Sequence, residues 1–258
     1  MIDPDNDKTG INIIEALADV GFDYIELSIR DIMALEREAY TNLSGRVRKS
    51  GILCESCNNF MPRHLKMTGE TVDRGAVLSY IRDTAARASE LGTRIIVFGS
   101  PWVRDVDPGF SKDTAFSQMA DILTSVGDIV REYDIIIAME HVNRVDGNIF
   151  TSIPETLNLV RTVNHPNVRL LIDFFHMQME KEPVDEVLDA GSLLSHIHFA
   201  RLYKRLFPKD FCEDENYSPF FQNLKKISYN SRISIEAYTR NFLEDAGESL
   251  AFLRGVFS

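Results

Sequence analysis

One stretch, Val168-Arg169-Leu170-Leu171-Ile172-Asp173-Phe174-Phe175-His176-Met177, constrains this chain more than any other. It is an apolar run that ends in a carboxylate, with an imidazole three residues later. A continuous run of this length reads as a strand buried on both faces. An Asp at the end of such a strand is costly unless it is paired or binds a cation. The alternative is a cap for the following helix, a role Asp fills well. Recurrence favours the cation. Ile135-Ile136-Ile137-Ala138-Met139 runs into Glu140, Leu193-Leu194-Ser195-His196-Ile197 into His198, and Ile233-Ser234-Ile235 into Glu236. The four ends stand 33, 25 and 38 residues apart in turn, and a βαβ unit takes roughly 30. They read as successive strands of one parallel sheet, whose carboxyl ends are where such folds bind ligands. If the sheet closes, two Glu, one Asp and one His meet at the mouth of a barrel, as in a metal site.

The 258 residues suit one (β/α)8 domain of about 250, so residues 1–258 read as a single domain. Periodicity predicts strands at 23–28, 51–57, 94–99, 135–139, 168–173, 193–198 and 233–236, separated by helical patterns. Ser152 is the expected N-cap of a helix that starts at Pro154. The count is seven strands. A (β/α)8 barrel begins with a strand, whereas here a short polar segment leads straight into a helix. The fold expectation is therefore a TIM barrel lacking its first strand, with two edges exposed beside the site. Met1-Ile2 or a partner subunit would fill the place, unless the first strand lies outside this sequence.

A net charge of −11 argues against wrapping a phosphate backbone. No apolar run approaches the ~20 residues that span a bilayer, and the acidic opening residues do not read as a signal peptide. Three cysteines fit a reducing compartment. Cys54 and Cys57 lack a second pair to complete a zinc site and read as ordinary buried thiols. The expectation is a cytoplasmic protein with a small-molecule partner, no nucleic acid and no membrane, assembled as a homodimer or tetramer.

Oxygen ligands with one imidazole suit Mn2+, Mg2+ or Co2+ better than a structural zinc. Mn2+ is the first choice, with Co2+, Mg2+ and Zn2+ as alternatives. A metal on a carbonyl and its neighbouring hydroxyl acidifies the adjacent C–H. Glu140 and Glu236, one on each face of an enediolate, would remove the proton and return it. That logic gives an epimerase, or an isomerase if the proton returns to the neighbouring carbon.

Asp173-Phe174-Phe175-His176-Met177, Glu140-His141-Val142-Asn143-Arg144-Val145-Asp146 and Ser195-His196-Ile197-His198 resemble segments of the D-tagatose 3-epimerase and D-psicose 3-epimerase family. That family lies within the xylose isomerase-like sugar isomerase/epimerase superfamily. The resemblance implies a (β/α)8 barrel with a Mn2+ or Co2+ ion. It implies Glu140, Asp173, His198 and Glu236 as ligands, Glu140 and Glu236 as the proton-exchanging pair, and His176 as holder of a substrate oxygen. Asp146 stands where the family has a longer Glu, and Lys204 where it has an Arg. Both positions face the sugar in the family, so D-tagatose and D-psicose are expected to be poor substrates. Trp102, after a strand end, offers an apolar wall for a sugar, or plain packing. Glu26 ends a strand too and reads equally as a substrate contact or as a salt bridge within the barrel. His196 reads as a hydrogen-bonded barrel residue, His141 as packing at a strand end or as a support behind the ligands, and His64 and His165 as surface residues.

Three rival functions follow. A DNA-cutting enzyme of the endonuclease IV type needs three zinc ions and many His, against 6 His and an acidic balance here. A lyase or dehydratase on keto-inositols or keto-glycosides uses the same proton abstraction but expels a leaving group. A non-catalytic sugar-binding barrel is the third, and four intact ligand candidates argue against it.

Overall fold

The computed structural model describes residues 7, 9–239 and 241–257. Seven strands, β1 (Tyr24–Ser28), β2 (Leu53–Asn58), β3 (Ile95–Phe98), β4 (Ile136–Glu140), β5 (Val168–Asp173), β6 (Leu194–Phe199) and β7 (Arg232–Ile235), form one sheet. They pair in chain order, every pair parallel. Helices return the chain between strands: α1 (Ile14–Val20), α2 (Ile29–Met33), α3 (Arg37–Ser50), α4 (Arg74–Glu90), α5 (Pro101–Arg104), α6 (Lys112–Arg131), α7 (Ile153–Val163), α8 (Phe174–Met179), α9 (Glu186–Ala190), α10 (Tyr217–Lys226) and α11 (Phe242–Phe257). This is the TIM-barrel architecture with seven strands among the described residues, as the spacing of strand ends predicts.

Two short helices, α5 and α8, were not anticipated; each begins at or just after a strand end. The break between α2 and α3 falls at residues 34–36. Gly21, at φ 95°, closes α1, and Ser152 Oγ accepts from Glu155 N at 3.3 Å to cap α7, as expected of Ser152.

Strand alternation sorts the core into two layers. Ile96, Phe98, Ile137 and Met139 pack outward among the helices, whereas Ile95, Val97, Ala138 and Leu171 form a separate small cluster inside the barrel. The same alternation carries Glu140, Asp173 and His198 to the inner face at the carboxyl ends. Among the described residues β7 and β1 are not paired. A cavity of about 370 Å³ separates them, lined by Ile25, Leu27, Ile233 and Ile235 of the two edges with Phe22 and Phe242. The expected strand gap is thus present; Met1-Ile2, suggested to fill it, lies outside the described residues. Side chains cross it instead: Tyr24 Oη lies 2.8 Å from Ser234 Oγ, and Ser234 Oγ donates to Glu26 Oε2 at 2.7 Å.

His165 is no surface residue: its side chain is 10 % exposed and packs on α6. Its Nδ1 accepts from Asn167 N at 3.0 Å, fixing the ring at the entrance to β5. A Cβ added at Gly127 would lie 2.4 Å from that nitrogen. Ala gains about 1 kcal/mol over Gly inside a helix, but overpacking against an anchored ring costs about 1–3 kcal/mol. Gly127→Ala is therefore expected to lower stability by about 1 kcal/mol in urea unfolding. A rise in stability would show that the ring rotates aside freely.

Candidate metal centre

The ends of four neighbouring strands deliver the cluster. Glu140 and Asp173 are the last residues of β4 and β5, His198 is next to last in β6, and Glu236 directly follows β7. One donor atom from each lies within 4.8 Å of the others. Glu140, Asp173 and His198 are buried and Glu236 is nearly so. The four residues singled out in the sequence are thus brought together. Three carboxylates and one imidazole, converging at this spacing, are a donor set that fits a hard or borderline divalent cation.

His198 is the hub. Its Nδ1 lies 3.0 Å from Glu140 Oε1 and 3.0 Å from Glu236 Oε2, and its Nε2 lies 2.8 Å from Glu26 Oε1. A carboxylate on the far nitrogen fixes the ring and decides which nitrogen faces the cluster. Glu26 Oε2 lies 2.9 Å from His196 Nε2, so the salt bridge within the barrel is the reading of Glu26 that this geometry realises. His196 is buried and hydrogen-bonded, as expected.

Asp173 caps the following helix and also turns an oxygen toward the cluster. Oδ1 accepts from Phe175 N at 2.7 Å and His176 N at 3.3 Å, capping α8. Oδ2 lies 2.8 Å from the Arg205 guanidinium and faces the cluster. Glu140 depends on a glycine: a Cβ at Gly99, just after β3, would stand 1.8 Å from Glu140 Oε2.

The two glutamates sit in unequal fields. Burial pushes the Glu140 carboxyl up, opposed by His198 and reinforced by Glu236 and Asp173. Burial also penalises Glu236, but Arg205 and His198 outweigh it and hold that carboxyl below the usual range. His198 is driven down by burial, yet the charges of Glu26, Glu236 and Glu140 hold it well above an ordinary imidazole.

A cavity of about 430 Å³ opens over the cluster, lined by Trp102, Asp146, His176 and Arg205 together with Glu140 and Glu236. His176 is buried, with Nδ1 2.8 Å from Asn143 Nδ2. Asn143 also donates to Asp146 Oδ2 at 2.7 Å, aiming a half-exposed carboxylate at the mouth. Trp102 donates from Nε1 to Met61 O at 2.9 Å, and the guanidinium of Arg63 lies 4.8 Å from its ring.

Lys204 is not in this cavity. It is exposed, and its Nζ lies 5.0 Å from the Tyr203 ring centroid. Arg205 takes the expected place, bonding Asp173 Oδ2 and Glu236 Oε2. Counting residues from His198 fails because Lys204 and Arg205, at φ 55° and 52°, turn sharply within a 3-10 segment. The loop is then pinned by Tyr238 N donating to Arg205 O at 2.7 Å. A guanidinium is therefore present beside the cluster, supplied by Arg205 and not by Lys204.

His141 packs at a strand end as expected, but sequence reasoning missed its buried neighbour Glu182. His141 lies with Nε2 3.6 Å from Glu182 Oε1. Burial pulls His141 down to about 3 and raises Glu182 to about 7. Glu182 Oε2 accepts from Ile153 N at 2.8 Å, at the start of α7.

The profile of the xylose isomerase-like TIM barrel family matches residues 14–256. A D-psicose 3-epimerase of Agrobacterium fabrum is 22 % identical over 196 residues, covering 75 % of this chain and 68 % of the relative. A crystal structure of a D-psicose 3-epimerase in the presence of D-fructose superposes with a TM-score of 0.85 at 20 % identity, over 96 % of this chain and 93 % of that one. A D-psicose 3-epimerase with D-tagatose, from Clostridium cellulolyticum H10, gives 0.84 at 19 % identity, over 96 % and 93 % of the two chains.

Two outcomes follow from this geometry. Gly99→Ala is expected to keep the fold, because the atom it meets is the movable end of Glu140, while weakening divalent-ion binding measured by titration calorimetry. Unchanged affinity would mean that Glu140 can leave the cluster at no cost. Glu182 binds its proton more tightly in the folded state than in the unfolded one. The stability this contributes is complete below the usual carboxylate range and is lost as pH rises toward about 7. Glu182→Gln has no such proton to lose, so its melting temperature should gain on the wild type between pH 5 and pH 8. Parallel melting curves for the two proteins across that interval would contradict the assignment.

Proposed function

The chain belongs to the xylose isomerase-like TIM barrel family, and from that premise we propose that it is a divalent-metal-dependent epimerase or isomerase of a ketose or keto-sugar. The observation that carries this reading is the convergence of four strand-end donors within 4.8 Å beneath one cavity. Glu140, Asp173, His198 and Glu236 would hold the ion, with Mn2+ the first choice among Mn2+, Co2+, Mg2+ and Zn2+. The ion supplies Lewis acidity toward the sugar carbonyl and so acidifies the neighbouring C–H. The relatives named D-psicose 3-epimerase support the sugar class.

The residues divide the remaining work. A carboxylate oxygen of Glu140 or Glu236 accepts the carbon-bound proton on one face, and the other glutamate returns a proton from the opposite face, through an enediolate. Arg205 favours the ionised form of Glu236. Environments that push two carboxyls apart are a common basis for such a division of roles. His176, ordered by Asn143 and Asp173, holds a substrate oxygen. Trp102 supplies an apolar wall, and Asp146 with the Arg205 fork reads the hydroxyls.

The test is deuterium wash-in. The Mn2+-loaded protein, incubated in D2O with D-psicose, D-tagatose and D-fructose, is expected to place carbon-bound deuterium beside the carbonyl of at least one ketose and to form its epimer. Glu140→Gln and Glu236→Gln should each fold and lose at least ~10²-fold in turnover, the low end for removal of a general base. Near-normal turnover in either variant would reassign that residue to ligation alone. Expulsion of a leaving group would move the reading to a lyase on keto-glycosides, and no exchange with any ketose would move it to a sugar-binding barrel.

A further inference from the structure

Arg104 is a large, fully buried cation that the proposed chemistry does not use. It ends α5, six residues after Phe98, the last residue of β3. Its Nη1 donates to Phe98 O at 3.2 Å and its Nη2 to Glu140 O at 2.8 Å. Its Nε has no hydrogen-bond partner. The rings of Phe98 and Phe150 lie 5.9 and 5.7 Å from the guanidinium carbon. Among the described residues it forms no ion pair. Burial lowers its proton affinity to about 10, with Glu140, Asp105 and Glu155 pulling the other way, so it is charged at neutral pH.

A packing role does not account for this. A buried guanidinium with no carboxylate in contact is costly, and an apolar side chain of similar length would fill the volume at lower cost. What the fork does is specific. The register between β3 and β4 ends at Phe98↔Met139, one residue short of Glu140. Beyond that point Arg104 spans the two strand ends, holding one carbonyl of each. The same segment supplies Gly99, whose missing side chain makes room for the Glu140 carboxylate.

We propose that Arg104 is a positioning residue for Glu140: it fastens the backbone of that glutamate to the end of β3, so that the carboxylate meets His198 and the cation from one fixed origin. This rests on reading the cluster as a metal centre. The side chain touches neither substrate nor ion, and its effect passes wholly through Glu140. Such outer contacts commonly govern metal affinity by 10- to 100-fold.

Two variants decide it. Arg104→Met keeps the length and removes the fork and the charge; Arg104→Lys keeps the charge but reaches only one carbonyl. For Arg104→Met the expected result is Mn2+ binding weakened at least ~10-fold in a spin-resonance titration, with kcat lowered and KM within a few-fold of the wild type. Arg104→Lys should recover part of both. Wild-type Mn2+ affinity and kcat in a folded Arg104→Met protein would overturn the proposal, as would equal losses in the two variants. If Arg104→Met does not fold, Arg104→Lys decides alone, and wild-type affinity there would overturn it. If the wild type itself binds no Mn2+, the metal reading fails, but the positioning claim is still decided. The 15N shifts of the His198 imidazole, whose Nδ1 lies 3.0 Å from Glu140 Oε1, should then differ between wild type and variant, and identical shifts would overturn it.

Discussion

The imidazole of His198 is the contact on which this molecule turns. Glu140 and Glu236 meet one of its nitrogens and Glu26 the other. Like charges crowded at the dry end of a barrel repel strongly, since the interior screens them far less than water does. They can share the space only because positive or donating groups are interleaved with them. His198 separates three of the carboxylates, and Arg205 joins Asp173 to Glu236 from the solvent side. Arg104 reaches the cluster from behind, through the backbone of Glu140. The arrangement is a lattice of alternating charge, in which each acidic group is oriented by a neighbour supplied by a different strand or loop.

The same side chains hold the barrel round where its backbone does not. β1 and β7 face each other across a cavity without pairing. Tyr24, Glu26, His196 and Ser234 link them by hydrogen bonds from inside. The contacts that orient the His198 ring are therefore continuous with those that keep the two sheet edges together. The site and the fold share one hydrogen-bond network at this seam.

Much of this was legible in the sequence, for identifiable reasons. A ligand at the end of an apolar strand announces itself because the strand is continuous, the next strand lies about thirty residues on, and alternation fixes which side chains point inward. Glu140, Asp173 and His198 meet all three conditions, and Glu236 follows the last strand of the same series. Lys204 was the wrong choice because its position was counted through a loop, and a loop that turns through two residues of positive φ does not preserve a count. Arg104 left no signal: its partners are carbonyl oxygens, one of them 36 residues away, and a carbonyl carries no mark of residue type. Glu26 was visible as a strand-end carboxylate, but its partner His198 is 172 residues distant, and only closure of the sheet brings them together.

Asp173 has a consequence for how this position can vary. One of its oxygens closes the first turn of α8, the helix that carries His176, while the other looks into the cluster. Glu would keep the charge, but its longer arm would leave the amides of Phe175 and His176 without their acceptor. Asn would keep the acceptor and surrender the charge. Ser would preserve the cap and leave no carboxylate facing the cluster. Each neighbour of Asp in chemical space forfeits one of two unrelated duties, so drift through a tolerated intermediate is closed off. A lineage could relinquish this residue only by giving up the carboxylate in the cluster and the helix start in the same step.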